Sequence, residues 1–565
     1  MDRLLRRVVA PAAAMMLVLV ACDPGEDIEG LDDSEGAIEV EEADDEEDAS
    51  DTDAEEADAE ADGDESTLRI ARPDDVRALN PLRQANNATS EVTYQIHEGL
   101  VTLNPDQELE PVLATDWEVL DDGRTYRIYL REDVEFHSGE PFDAEAVKWN
   151  FEKQLFDDPP GIASGLLPEH EEIEVVDDHT IDMVLAEENG VYMNILGAPL
   201  FMMMDPTQWE ELGEEGYDQD PSGTGPFKFD DWSPDERVEL VANEDYWDQD
   251  NGPAVDRIVF EVMPEASSRV IALQNREVDM IFTLPAEDVP GLQESDEHDA
   301  ITVPSTRLVF IGFNTADPIL EDLEVRRALA HATDRDQVDE IIGDNGVAVD
   351  GIGTPNAEGF FPSAQPFDAD EAERLLDEAG WERSGDGIRE RDGESLSIEV
   401  MSAATAAGEE QALQVVQQQW EQVGAELEIQ QLDGGALNER IEEEATAHEE
   451  DSSHVPDYQG FMLASGIRTG EVGYILGRPQ CDQVERNHHR FCDPEYDEAF
   501  QVSQSTAPDE ERMEGYETMA RIFEEEVLRL PLYITNVNVG VTDAVNGFEV
   551  NPNEALDLRG VTVEQ

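Results

Sequence analysis

A chain with 138 aspartates and glutamates against 34 lysines and arginines can fold only where its apolar residues are concentrated apart from its charge. Hydrophobic residues make up 39% of this one, enough to build cores, and 565 residues suggest roughly three or four domain-sized units. A formal net charge of −104 excludes nucleic acid and anionic membrane surfaces as partners, because the electrostatic contribution to both has the wrong sign. The charge has two sources. Residues 23–65 hold 24 acidic residues and no Lys or Arg, and residues 1–22 contribute +2, which leaves −82 on the remainder. Lysine occurs only at Lys148, Lys153 and Lys228. An acidic, lysine-poor surface suits folding in concentrated salt, where screening lengths shrink to about 3 Å at 1 M.

The amino terminus reads as an address. Met1 to Arg7 is short and basic, Val8 to Ala21 is apolar, and Leu19-Val20-Ala21-Cys22 closes the segment. The pattern is that of a secretory signal peptide (1–22) and is too short for a membrane span. Its end resembles the lipobox of bacterial lipoproteins, in which the cysteine, here Cys22, is lipid-modified. Residues 23–66 lack aromatics, repel themselves and form a disordered acidic linker; no D-x-[DN]-x-[DN]-G calcium loop occurs. Cys481 and Cys492 remain as a pair. In an exported chain they read as a disulfide, and the alternative is a metal site using the intervening His488 and His489. The spacing C-x6-H-H-x2-C matches no common zinc module, so no metal or cofactor is assigned.

From Thr67 the chain alternates apolar and polar residues and carries ordered blocks. They begin with Leu79-Asn80-Pro81-Leu82, then Tyr94 to Val101 and Leu113 to Val119. The Asp122-Gly123 turn, with alternating flanks through Arg131, predicts a β-hairpin. Val134 to Phe142 leads to Asp143, a candidate N-cap for a helix. Further on stand Gly223-Thr224-Gly225-Pro226-Phe227, Asn243 to Trp247, Phe310 to Asn314, Val325 to Arg335 and Phe367 to Gly380. Each block has a plain structural meaning as well. The glycines mark tight turns and match no phosphate loop, Trp117, Trp149, Trp247 and Trp420 suit packing, and Arg326 and Arg327 read as covering a helix surface.

Taken in order over residues 67–540, these blocks resemble the dipeptide/oligopeptide-binding family (family 5) of ABC-transporter extracellular solute-binding lipoproteins. The resemblance implies an α/β, two-lobed, periplasmic-binding-protein-like fold with an extra subdomain in the first lobe. Lobe I would take residues 67–305 and 530–565, with the subdomain near 99–222, and lobe II residues 306–529. It implies a monomeric receptor, anchored outside the cell membrane by its lipidated cysteine, that closes on a small solute and delivers it to an ABC permease and its ATPase.

In peptide-binding members an Asp in a cleft loop of the second lobe receives the ligand's ammonium. The corresponding stretch here runs Asp457 to Gly466 and on through Ile467-Arg468-Thr469-Gly470-Glu471, with Arg468 and Thr469 where the Asp is expected and Glu471 the nearest carboxylate. Arg468 is a candidate fork for a carboxylate or phosphate, and its alternative is a surface Arg among acids. Ser465, Asn86 and Asn87 join the candidates by position in cleft-facing loops. H-E-x-x-H, G-x-S-x-G, G-x-x-x-x-G-K-[ST] and S-x-x-K patterns are all absent, so no catalytic residue is assigned. The alternative function is a lipoprotein hydrolase of peptides or glycans; the expectation is a non-enzymatic receptor for a peptide-like or anionic solute.

Overall fold

Two long antiparallel strands, His298–Phe313 and Arg529–Thr542, form the spine of an 11-stranded sheet. The computed structural model describes residues 66–564 except 84–86, 121–122, 158–159, 162, 386, 451–453, 455, 478, 482 and 484–486. The signal segment, Cys22, nearly all of the linker and Asn86 lie outside the described residues. The described residues form one compact unit.

The spine changes partners half-way along. His298 to Pro304 pair with Thr542 to Asn536, the register then shifts, and Leu308 to Gly312 pair with Ile534 to Arg529. Ser305 and Thr535 hydroxyls meet at 2.7 Å at the crossing. Before it, the sheet continues through Met280–Ile281 and Thr67–Arg72 to Arg257–Val262, Arg237–Ala242 and Phe227–Ser233. Beyond it, Gly460–Gly466 pairs with His298–Phe313, followed by the parallel strands Ser397–Ser402 and Glu426–Gln431. Residues 529–534 therefore belong to the second-lobe side of the crossing, and 536–542 to the first.

Each half has its own apolar core, and that makes the molecule two-lobed. Leu68, Ile70, Leu240, Phe260 and Val539 pack in the first. Val309, Ile311, Leu376, Val400, Trp420 and Leu530 pack on one face of the second, with Phe310, Phe461, Tyr516 and Phe523 on the other. In the strand Ser397–Ser402, Ile398, Val400 and Met401 are buried while Glu399 is half-exposed. The helix Ala369–Glu378 buries Ala372, Leu375 and Leu376 on one stripe, and the Asp368 carboxylate accepts from the Glu371 N–H at 3.0 Å as its cap.

Within the first lobe a separate four-stranded sheet runs in the order Ala114–Val119, Thr125–Leu130, Thr180–Leu185, His170–Asp177. The expected hairpin is the first pair, with Gly123 at φ 71° in its turn. Asp143 caps the helix Ala144–Phe156, accepting from the Ala146 N–H at 2.9 Å. The Gly-Thr-Gly-Pro-Phe block is a close backbone approach: a Cβ on Gly223 would sit 2.1 Å from the Ile96 carbonyl oxygen. One expectation is corrected. Arg326 does not cover a surface; it is 3% exposed and donates to the Leu320 and Glu526 carbonyls, holding two chain segments together.

Candidate functional site

A cavity of about 380 Å³ opens where the lobes face each other beside the spine crossing. One wall is built from adjacent strands of the second lobe. Thr306 and Arg307 come from His298–Phe313, Ala464, Ser465 and Gly466 from Gly460–Gly466, and Arg468 from the loop that follows. Arg307 sits opposite Gly466 in the ladder, and the Ile467 N–H donates to the Thr306 carbonyl at 3.0 Å. That pairing holds the Thr306–Arg307 and Ala464–Arg468 segments side by side. The facing wall belongs to the first lobe: Asn87, Ser90 and Glu91 on the first turns of helix Asn87–Ile96, residues 199–200, and Asn553 and Glu554.

The chemistry of the second-lobe wall is unusual for this chain. Among the described residues, neither Arg307 nor Arg468 has an acidic group within 4 Å, although carboxylates outnumber cations about four to one. Most arginines elsewhere in the fold bond carboxylates or backbone carbonyls, as Arg127 does with Asp182 at 2.8 Å. Ser465 is 9% and Thr306 5% exposed, and neither hydroxyl has a hydrogen-bond partner among the described residues. Neither hydroxyl is sealed from solvent; both are open to the cavity. Two unpaired guanidinium groups and two unpaired hydroxyls on one cavity wall make a donor set for an anion.

The first-lobe wall is acidic. Burial raises the Glu91 carboxyl to about 7, with Arg72 at 3.7 Å working against that rise and Glu554 adding to it. Glu554 takes a hydrogen bond from Asn87 Nδ2 at 2.9 Å and has φ 66°, a left-handed backbone that costs a non-glycine residue about 1–2 kcal/mol.

Residues 108–452 match the family model described as bacterial extracellular solute-binding proteins, family 5 Middle. The chain belongs to this family. It is 25% identical to the glutathione-binding protein GsiB of Salmonella paratyphi A over 490 residues, covering 85% of this chain and 91% of that one. NikA from Brucella suis, solved in complex with Fe(III)-EDTA, superposes with TM-score 0.77 at 23% identity, over 88% of this chain and all of that one. A dipeptide-binding protein from Pseudoalteromonas sp. SM9913, solved with Met-Leu, gives 0.71 at 20%, again over 88% and 100%. The protein is thus an extracellular solute-binding component of an ABC importer, and the cavity lies between its two lobes.

The remaining sequence candidates lie elsewhere in the cleft of this solute-binding protein. Thr469 and Glu471 line a second cavity of about 570 Å³, with Asn189, Gln480 and Gln504; Tyr474 borders both cavities. The Glu471 carboxylate accepts from Tyr516 Oη at 2.5 Å, the Gly473 N–H at 2.6 Å and Thr469 Oγ1 at 3.2 Å, and burial raises its pKa. It braces the loop it belongs to. Arg512, beside it, pairs with Glu358 at 3.3 Å.

A disulfide joins Cys481 to Cys492, with Cα atoms 4.6 Å apart. His489 between them is buried; it donates from Nδ1 to the Phe313 carbonyl at 3.1 Å, and its Nε2 accepts from Arg529. Among the described residues no group of three or more His, Cys, Asp or Glu is arranged to hold a metal ion. At the lips of the cleft, the Gly190 N–H donates to the Gln504 carbonyl at 2.6 Å and Thr506 Oγ1 to Glu188 at 2.8 Å. These contacts tie the subdomain to the second lobe.

Of the sequence candidates, Arg468, Ser465 and Asn87 line this cavity together with Arg307, Thr306, Glu91 and Glu554, which the sequence did not single out. Arg307 carried one usable signal, a scarce cation immediately before the apolar run Leu308 to Phe313. Glu91 and Glu554 carried none, being two acids among 138.

Proposed function

We propose that the protein captures a small, peptide-like solute bearing a carboxylate or comparable anionic group, held by Arg307 and Arg468 with Ser465 and Thr306 completing the donor set. The single observation behind this is the pair of guanidinium groups without acidic neighbours on one cavity wall of a polyanionic chain. Guanidinium forks suit carboxylates, and each hydrogen bond to a charged group contributes about 1.5–3 kcal/mol. Asn87 assists by orienting Glu554, while Thr469 and Glu471 shape the loop that carries Arg468.

The same proposal takes the protein as a monomer without catalytic activity whose lobes are residues 67–305 plus 535–565 and residues 306–534, the second boundary lying at the strand crossing rather than at 530. Cys22 tethers it to the membrane through the acidic linker 23–66, and it works in concentrated salt. Native mass spectrometry of the protein from its producing cells identifies the bound solute. Arg468→Ala then lowers affinity for that solute about tenfold or more by calorimetry; unchanged affinity overturns the reading.

A further inference from the structure

A further cavity, of about 360 Å³, has the crossing strand itself as its floor. Asn536 to Val539, on the first-lobe side of the crossing, line that floor. Segments 282–287 and 548–556 of the first lobe make one wall, and Asn345 and Ala407 of the second lobe face them. Asn87, Glu91 and Glu554 border this cavity and the anion-site cavity alike, but Arg307, Ser465 and Arg468 line only the latter. The chemistry differs accordingly. Phe282, Leu284, Val537, Val539, Phe548 and Leu556 give the cavity an apolar lining, with the Phe282 and Phe548 rings 6.3 Å apart between centroids. Its charged lining groups are Glu91, Glu287 and Glu554, all of one sign.

Asn538 joins both lobes at this floor. Its carbonyl accepts from the Leu284 N–H of the first lobe at 3.1 Å, and its Nδ2 donates to the Asp344 carbonyl of the second at 2.9 Å. Asn536 Nδ2 donates to the same carbonyl at 3.2 Å, and Tyr533 Oη holds the Ala407 carbonyl at 2.6 Å. The walls are therefore built by hydrogen bonds from the crossing strand to both lobes. Asn538 is 8% exposed, yet its Oδ1 has no hydrogen-bond partner among the described residues. Buried side-chain polar atoms are nearly always paired, so this acceptor calls for a donor.

We infer that the cavity is a second ligand site at the hinge, for a small uncharged molecule with an apolar body and one hydrogen-bond donor, the donor pairing with Asn538 Oδ1. The inference stands apart from the proposed anion site. Three carboxylates turn away an anion, and the apolar lining favours burial of a ring or hydrocarbon over water. The size falls within the range that encloses small organic ligands. Because its walls come from both lobes, an occupant contacts both only in the lobe arrangement that forms the cavity. It therefore favours that arrangement, and by linkage it acts on a hinge that cargo binding also moves.

The test uses the full chain with indole as probe, against 1-methylindole (no donor) and indole-3-acetate (an anion), by titration calorimetry and hydrogen exchange. Indole binds at about millimolar affinity or tighter, 1-methylindole binds about threefold or more weakly, and indole-3-acetate does not bind. Asn538→Ala erases the difference between indole and 1-methylindole. Ala407→Trp, at an exposed position, fills the cavity and abolishes indole binding while the Tm of the protein alone stays within about 2 °C. Indole also binds when the co-purified solute is present, and it slows exchange in 282–287 and 343–345. No binding of indole at about 10 mM overturns the inference, as does equal binding of 1-methylindole. Displacement of indole by the co-purified solute makes the cavity part of the cargo cleft and overturns it too. Bound indole with unchanged exchange in both segments overturns the action on the hinge.

Discussion

Tyr516→Phe separates a bracing carboxylate from a ligand-binding one at Glu471. The substitution removes one hydroxyl and leaves Glu471 with the Gly473 N–H and Thr469 Oγ1 as donors. A hydrogen bond to a buried charged group contributes about 1.5–3 kcal/mol. For a folded unit of about 500 residues, melting entropy near 1 kcal/mol/K turns that loss into a fall in Tm of roughly 1.5–3 °C. Gln504 Nε2, which donates to Tyr516 Oη at 3.2 Å, adds to the cost. Scanning calorimetry reads the stability and titration calorimetry the affinity for the co-purified solute. The expected result is the stated fall in Tm with affinity changed by less than about threefold. A tenfold loss of affinity at unchanged Tm would refute the reasoning and make Glu471 a contact to the solute.

Three further outcomes are expected. His137 is half-buried, its partial desolvation lowers its pKa to about 4, and its ring donates to the Gly225 carbonyl at 2.9 Å. The unfolded chain takes up this proton below about 6.5 and the folded one does not until about 4, so His137 removes stability as pH falls through that window; urea midpoints at pH 7.5 and 5 should differ less in His137→Gln than in the parent. With −82 outside the first 65 residues, Tm should fall as salt drops from molar to millimolar, and an unchanged Tm would remove the salt-adapted reading. Gly190→Ala would put a Cβ 1.9 Å from the Ser505 carbonyl oxygen, so solute affinity should fall while the melting of the solute-free protein stays within a degree or two; a parent-like affinity would show that this contact plays no part in closure.

The fold was legible because its signals are local and repeated. Asp122-Gly123 with alternating flanks, Asp143 ahead of a helix and the ordered blocks from Leu79 to Gly380 each constrain a short stretch. The cavity was only partly legible because its walls come from six separated places, residues 87–91, 199–200, 306–307, 464–468, 474 and 553–554. Scarcity exposed Arg468, since a cation in a cleft loop stands out in an acidic chain. Abundance hid Glu91 and Glu554. Arg326 was misread because its helix position gives no sign that Glu526 and Leu320 close over it.

Arg307 and Arg468 are proposed to capture an anionic group between the lobes. A thermodynamic cycle by titration calorimetry tests it most directly, pairing Arg307→Ala/Arg468→Ala with the co-purified solute and its carboxyl-amidated form. The account predicts that the double substitution and the amidation each weaken binding about tenfold or more, and that the two losses do not add. Parent-like affinity of the double variant for the unmodified solute would contradict it.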